Sequence, residues 1–168
     1  LNGIEGAMVE VEVAEGGGLP RTVLVGLPDA ALSQAKERVR AAVTGAELPW
    51  PNGLVTINLS PANLPKTGTH YDLAIATAAL AAIDKVPKEA ARNHVCLGEL
   101  GLDGRLRRVP GILPALLAAV RSGFDKAIVP ASQEAEASLV PGVTVWAIGH
   151  LKDLVAVLNG EPPLGGWE

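Results

Sequence analysis

The sequence has little of what most readily marks chemistry. It holds one cysteine, one methionine, one tyrosine, one phenylalanine and three tryptophans among 168 residues. The lone Cys96 excludes an internal disulfide and a cysteine metal knuckle, so a reducing, cytoplasmic setting is the simplest expectation. No apolar run reaches bilayer-spanning length and no signal-peptide pattern is present, so a membrane is not expected as a partner. Positive charge is not in excess either: 14 Lys and Arg against 18 Asp and Glu give a net charge of −4, and nucleic-acid binding would need a local basic patch. The three histidines, His70, His94 and His150, are widely separated and have no His or Cys partner at helical spacing, which argues against a metal site.

What is there is small, aliphatic and punctuated. Hydrophobic residues make up 48% of the chain, and its 19 glycines and 13 prolines are scattered, as short connections in an ordered domain require. The length suits one domain with a real core. The chain starts at Leu1, not Met, and opens almost directly into a strand pattern, which reads as part of a longer protein. Residues 1–160 are expected to form one domain, and 161–168, Pro- and Gly-rich, the start of a linker.

Periodicity predicts the elements. Ala7 to Ala14 alternates apolar and acidic residues as a half-exposed strand does; Gly16-Gly17-Gly18 suggests a turn, and Thr22 to Val25 a second strand in hairpin relation to the first. Asp29 is placed to cap a helix to about Thr44, with Leu32, Ala35, Val39, Ala42 and Val43 on one face and Glu37, Arg38 and Arg40 read as surface charges. Leu54 to Leu59 reads as a strand. Asp72 is placed to cap an Ala-rich helix, Leu73 to Ile83, slim enough for close packing on a sheet. Val95 to Leu97 follows as a short strand, Gly101-Leu-Asp-Gly104 as a hairpin turn, and Arg105 to Val109 as the return strand. A helix to about Ser122, a strand at Ala127 to Val129, a short helix capped by Ser132, a strand at Val143 to Ile148 and a helix stopped by Gly160 complete the chain. Helices alternating with mixed strands predict an α/β (α+β) domain in two layers or a sandwich.

The run Asn58 to Asp72 has the frame of an active-site loop: strand, Pro- and Gly-shaped loop, helix N-terminus. It is not a phosphate-binding loop. In Ser60-Pro-Ala-Asn-Leu-Pro-Lys-Thr67 both required glycines are replaced, by Ser60 and by Pro65, which has no N–H to offer. No Gly-x-Ser-x-Gly elbow occurs, and Gly98, Gly101 and Gly104 do not make a dinucleotide fingerprint.

Several runs, in order, carry a family resemblance: Val25-Gly-Leu-Pro-Asp-Ala30, Glu37-Arg-Val-Arg40, Asn58-Leu-Ser-Pro-Ala-Asn-Leu-Pro-Lys66, Asp72-Leu-Ala-Ile-Ala76, Gly98-Glu-Leu-Gly-Leu-Asp-Gly104 and Val129-Pro-Ala. From Gly3 to Gly160 the chain resembles the N-terminal domain of the magnesium-chelatase-like, competence-associated AAA+ ATPases, the ComM/YifB family. The resemblance implies a ribosomal-protein-S5-domain-2-like fold similar to the proteolytic domain of Lon. It implies a longer bacterial protein that continues into a AAA+ module, forms homo-hexameric rings and is associated with DNA branch migration in natural transformation. ATP and magnesium are then expected only in that AAA+ module, and no cofactor on this stretch.

The Lon resemblance also implies where a Ser–Lys dyad would stand. Lon's serine lies in a Pro-Lys-Asp-Gly-Pro-Ser-Ala-Gly loop; laying Pro65-Lys-Thr-Gly68 on it puts His70 at the serine. Laying Gly104-Arg-Leu106 and Gly111 on the segment before Lon's lysine puts Leu113 there. A dyad needs a hydroxyl nucleophile and a neutral amine, and His70 with Leu113 supplies neither, so the chain is expected not to be an enzyme. The alternative is a peptidase with a substituted dyad, Thr69 acting as nucleophile. Lys66, Arg105, Arg107 and Arg108 remain candidates for contact with DNA or a neighbouring subunit. Strand alternation puts Arg105 and Arg107 on one face and Arg108 on the other.

Overall fold

The computed structural model describes residues 10–16, 21–25, 29–51, 54–60 and 71–165. The first sheet holds β1 (Glu10–Gly16), β2 (Arg21–Val25) and β3 (Leu54–Ser60) in the order β1-β3-β2. β1 runs antiparallel to β3 and β2 parallel to it. The expected β1–β2 hairpin is therefore corrected: β3 lies between the two strands. The crossover from β2 to β3 is α1 (Asp29–Gly45), the long connection that a parallel pair requires. α1 begins at Asp29, whose side chain, the expected cap, is not among those described. Farther along α1, Ala35, Val39, Ala42 and Val43 are buried as their spacing predicts.

α2 (Asp72–Ala82) is buried on most sides, through Leu73, Ile75, Ala76, Ala79 and Leu80. A short surface helix follows, α3 (Lys88–Asn93), with no buried residue. The second sheet is parallel throughout: β4 (Val95–Cys96), β7 (Lys126–Pro130) and β8 (Thr144–Ile148), in the order β4-β7-β8. Between β4 and β7 come the antiparallel hairpin β5 (Glu99–Leu100) and β6 (Leu106–Arg107), then α4 (Ile112–Arg121). The hairpin turn stands where Gly101 to Gly104 predicts it, with Gly101 N–H to Arg105 O at 2.8 Å and Gly104 N–H to Gly101 O at 3.0 Å. Its first strand is Glu99–Leu100, and the return strand is shorter than expected; Val95–Cys96 belongs to the other sheet.

A 3₁₀ turn (Ala131–Gln133) runs into α5 (Glu134–Ala137), and α6 (Leu151–Leu158) closes the fold. Ser132 is not the cap it was expected to be: it sits inside the 3₁₀ turn and makes no capping bond. Two apolar clusters hold the layers. One gathers α1, α2 and α6 around Leu73, Leu80, Ile128, Ile148 and Leu154. The other packs α4 and α5 on the second sheet through Val109, Ile112, Leu116, Val129 and Ala137.

Candidate functional site

Of the loop Asn58–Asp72, the end of β3 and the start of α2 are described; Lys66, Thr69 and His70 lie outside the described residues. The α2 end corrects a sequence expectation. A helix start leaves N–H groups without intrahelical partners. Here the Leu73 N–H is satisfied by Gly98 O at 3.1 Å, and no side chain caps the helix. Asp72 is thereby released from capping. Its carboxylate, buried at 1% exposure, takes Arg38 Nε at 2.7 Å and Nη2 at 2.8 Å, and the Leu100 N–H at 3.1 Å. Arg38, expected as a surface charge, is thus a half-covered partner that ties α1 to α2 and the hairpin.

The electrostatics follow from burial. Desolvation pushes the Asp72 carboxyl above its ordinary range, against the pull of the Arg38 and Leu100 hydrogen bonds. The hydrogen bond to Asp72 raises Arg38, whose charge is secure at any ordinary pH. The pair is structural in what it touches: helix, helix and hairpin.

Leu113, where the resemblance implies a lysine, lies in the first turn of α4. It is half-buried and packs against the apolar cluster of Val95, Val109, Ile112 and Leu116. An amine there would face hydrocarbon.

The hairpin presents Arg105, Arg107 and Arg108 to solvent, and Leu106 shares a wall with the first two. Arg105 and Arg107 line a concavity of about 340 Å³ together with Asp103, Ala131, Ser132 and Gly149, and Arg108 is not among its walls. Arg105 Nε pairs with Asp103 Oδ2 at 3.3 Å, with both side chains well exposed. The Arg105 N–H, 3.1 Å from Oδ1, holds the Asp103 carboxyl below its ordinary range. Among the described residues Arg107 and Arg108 carry no ion pair.

Three buried polar side chains brace the walls, and sequence reasoning missed each of them. Gln133 accepts from the Val109 N–H at 2.9 Å and donates to Val109 O at 2.7 Å, so its amide fastens the segment after β6 to the 3₁₀ turn. His150 Nδ1 accepts from the Lys152 N–H at 3.0 Å, capping α6, which leaves Nε2–H to donate to Asp103 O at 3.0 Å. Asp153 accepts from the Gly149 N–H at 3.4 Å and from the Leu164 N–H at 2.7 Å. The hairpin itself joins the end of β8 through Leu106 N–H to Gly149 O at 3.0 Å and Leu151 N–H to Gly104 O at 2.9 Å. A polar residue beside a helix start was the available signal for His150; Gln133 and Asp153 bond to segments that local pattern does not place beside them.

Among the described residues no three His, Cys, Asp or Glu side chains converge as metal ligands. His94 Nδ1 bonds Ala90 O at 2.8 Å within α3 and its C-terminal turn. No described helix is long and apolar enough to cross a membrane.

Comparison with known proteins places these features. An uncharacterized protein of Mycobacterium tuberculosis is 49% identical over 166 residues, covering 99% of this chain and 33% of its own length. Competence protein ComM of Haemophilus influenzae is 39% identical over 163 residues, 96% of this chain and 32% of its own. Lon protease 2 of Bacillus subtilis is 29% identical over 105 residues, 61% of this chain and 18% of its own. The chain thus spans about a third of the length of the first two relatives. The family described as subunit ChlI of Mg-chelatase matches residues 9–133, most of the sheets and helices described above, and the chain belongs to that family.

Proposed function

We propose that the chain is a non-catalytic interaction domain of a magnesium-chelatase-like AAA+ ATPase, supporting ring assembly and DNA processing by the longer protein. The observation that carries this reading is Leu113. The residue at the implied lysine position is an isobutyl group packed into the second apolar cluster, so a Ser–Lys dyad has no base. The long match to ComM, a competence protein, supports competence as the process served, within which branch migration in natural transformation is the step we assign to the longer protein. Homo-hexamer formation would then depend on neighbouring subunits and on the AAA+ module. The partial match to Lon protease 2, with the mixed sheets and crossover helices, supports an S5-domain-2-like fold shared with the Lon proteolytic domain.

ATP and magnesium belong, on this reading, to the AAA+ module. The residues here do not suit them: Ser60 and Pro65 stand at the glycine positions of a phosphate loop, and the described acidic and histidine side chains do not converge.

The test is incubation of the purified protein with unfolded casein and a serine-directed probe. Neither cleavage nor labelling is expected. Labelling that disappears in Thr69→Ala would instead establish a peptidase with a substituted dyad. A second reading, direct DNA contact, is favoured by one observation: Arg107 is exposed and has no ion pair among the described residues. Electrophoretic shift with single- and double-stranded DNA at low salt checks it, and binding is expected to be weak and salt-sensitive.

A further inference from the structure

Resting on the reading of the chain as a DNA-processing accessory domain, we propose that the concavity between the β5–β6 hairpin and the 3₁₀ turn binds a single phosphate group through Arg105, Arg107 and Ser132. At about 340 Å³ it stands at the small end of ligand clefts. Arg105, bridged to His150, and Arg107, in β6, both line it on either side of Leu106, so two guanidinium groups border one space. Ser132 faces them from the other wall, and among the described residues its hydroxyl has no hydrogen-bond partner.

The walls are set before a ligand arrives. The Gln133 amide, 2% exposed, fixes Val109 to the 3₁₀ turn; the His150 ring fixes Asp103; the Leu106 N–H fixes the hairpin to Gly149. Preorganised donors lose little freedom on binding. The Arg105–Asp103 pair is solvent-exposed, and such pairs are weak. Asp103, on the rim, sets a limit: a second negative charge beside the first meets a carboxylate. A phosphodiester or lone phosphate is therefore preferred over a triphosphate. Two sources share this chemistry, a nucleic-acid strand and free phosphate.

The experiment follows backbone amide NMR shifts of the protein during titration with oligothymidylate, inorganic phosphate and ATP, with fluorescence anisotropy for affinity. The amides of residues 105–107 and 131–132 are expected to move with oligothymidylate. Arg107→Gln should weaken binding about tenfold, as loss of a charged hydrogen bond does, and lower the salt slope by about 0.7. Ser132→Ala should weaken it less. Arg92→Gln, an exposed change on α3, should leave it unaltered. Inorganic phosphate moving the same amides where oligothymidylate does not would support the site with free phosphate as its source. The site is refuted if neither ligand moves these amides, or if ATP binds there more tightly than both. Oligothymidylate bound elsewhere, indifferent to Arg107→Gln, would refute the site while leaving a DNA-processing role intact.

Discussion

Arg38 and Asp72, 34 positions apart, meet in a two-point ion pair with Nε–Oδ2 at 2.7 Å and Nη2–Oδ1 at 2.8 Å. Removing one partner strands the other in a half-dry site, which costs about 3 kcal/mol for buried pairs. Asp72→Ala should therefore destabilise strongly, and Asp72→Asn less, because the amide oxygen can still accept from Leu100. The pH dependence separates Arg38→Ala from a packing defect. Burial already raises the Asp72 carboxyl, and Arg38 is the main restraint on that rise. A carboxyl with a raised folded value contributes stability that is present below its unfolded value, about 3.9, and lost as pH rises through the folded value. The gap between Arg38→Ala and wild type should be smallest near pH 4 and widen toward neutrality in urea unfolding; a pH-independent gap would contradict this account.

The Asp72 pairing also shows what the sequence could and could not reveal. Local chemistry was readable: Gly101 and Gly104 marked the hairpin, and the spacing of Ala35, Val39, Ala42 and Val43 marked the inner face of α1. An aspartate at a helix start has a local explanation, capping, and that explanation hid a partner on another helix. The β1–β2 expectation failed similarly. Two strands flanking a glycine run suggest a hairpin, but nothing local says that β3 enters between them. α3 was invisible because it packs on the core only through Ala90 and Ala91, too few apolar positions to make a stripe. Arg105 and Arg107 were legible as a basic pair because they are close in sequence. The concavity they line was not, since Ser132 and Gly149 arrive from two other segments.

Gln133 tests the bracing of that concavity. Its amide satisfies both the N–H and the carbonyl of Val109, at 2.9 and 2.7 Å. Gln133→Leu keeps the bulk and orphans two buried backbone groups. An unsatisfied buried group costs about 1–3 kcal/mol. The expected loss is about 2 kcal/mol or more in urea unfolding, with faster amide exchange at Val109. Gln133→Glu keeps an acceptor but not the donor, and should restore only part of the stability.

Two glycines are fixed by close approach. Gly104 has φ +88°, and a Cβ there would lie 2.7 Å from Ala46 Cβ and 3.1 Å from His150 Nε2. Gly45 faces the Leu102 carbonyl, and an added methyl would collide with that backbone oxygen. Gly104→Ala has both strain and collision, so it should cost more than about 1 kcal/mol and disturb the His150–Asp103 bond. Gly45→Ala should push the hairpin tip off α1. Thermal unfolding gives the cost, and the amide shifts of residues 101–105 show whether the hairpin moved. Gly123→Ala is the comparison: φ is +94° but nothing lies within 4 Å, so only backbone strain remains.

Cys96 offers a prediction at alkaline pH. Its thiol is buried between the layers, 3.8 Å from His94 O, and burial pushes it up to about 11 from an ordinary 9.0. The folded protein therefore keeps its proton where the unfolded chain has lost it. Stability from this group is complete below pH 9 and is lost as pH rises toward 11, because ionisation then favours the unfolded state. At 1.36 kcal/mol per unit the loss approaches about 3 kcal/mol. Alkali acts on the whole chain, so the informative quantity is the difference between wild type and Cys96→Ala. That difference should be constant to pH 9 and then shift in favour of Cys96→Ala up to pH 11. Native-state labelling by a thiol reagent should be slow throughout and accelerate only with urea. Rapid labelling at neutral pH, or a stability difference that stays flat across the alkaline range, would mean that the thiol is not held away from water as the packing of β4 indicates.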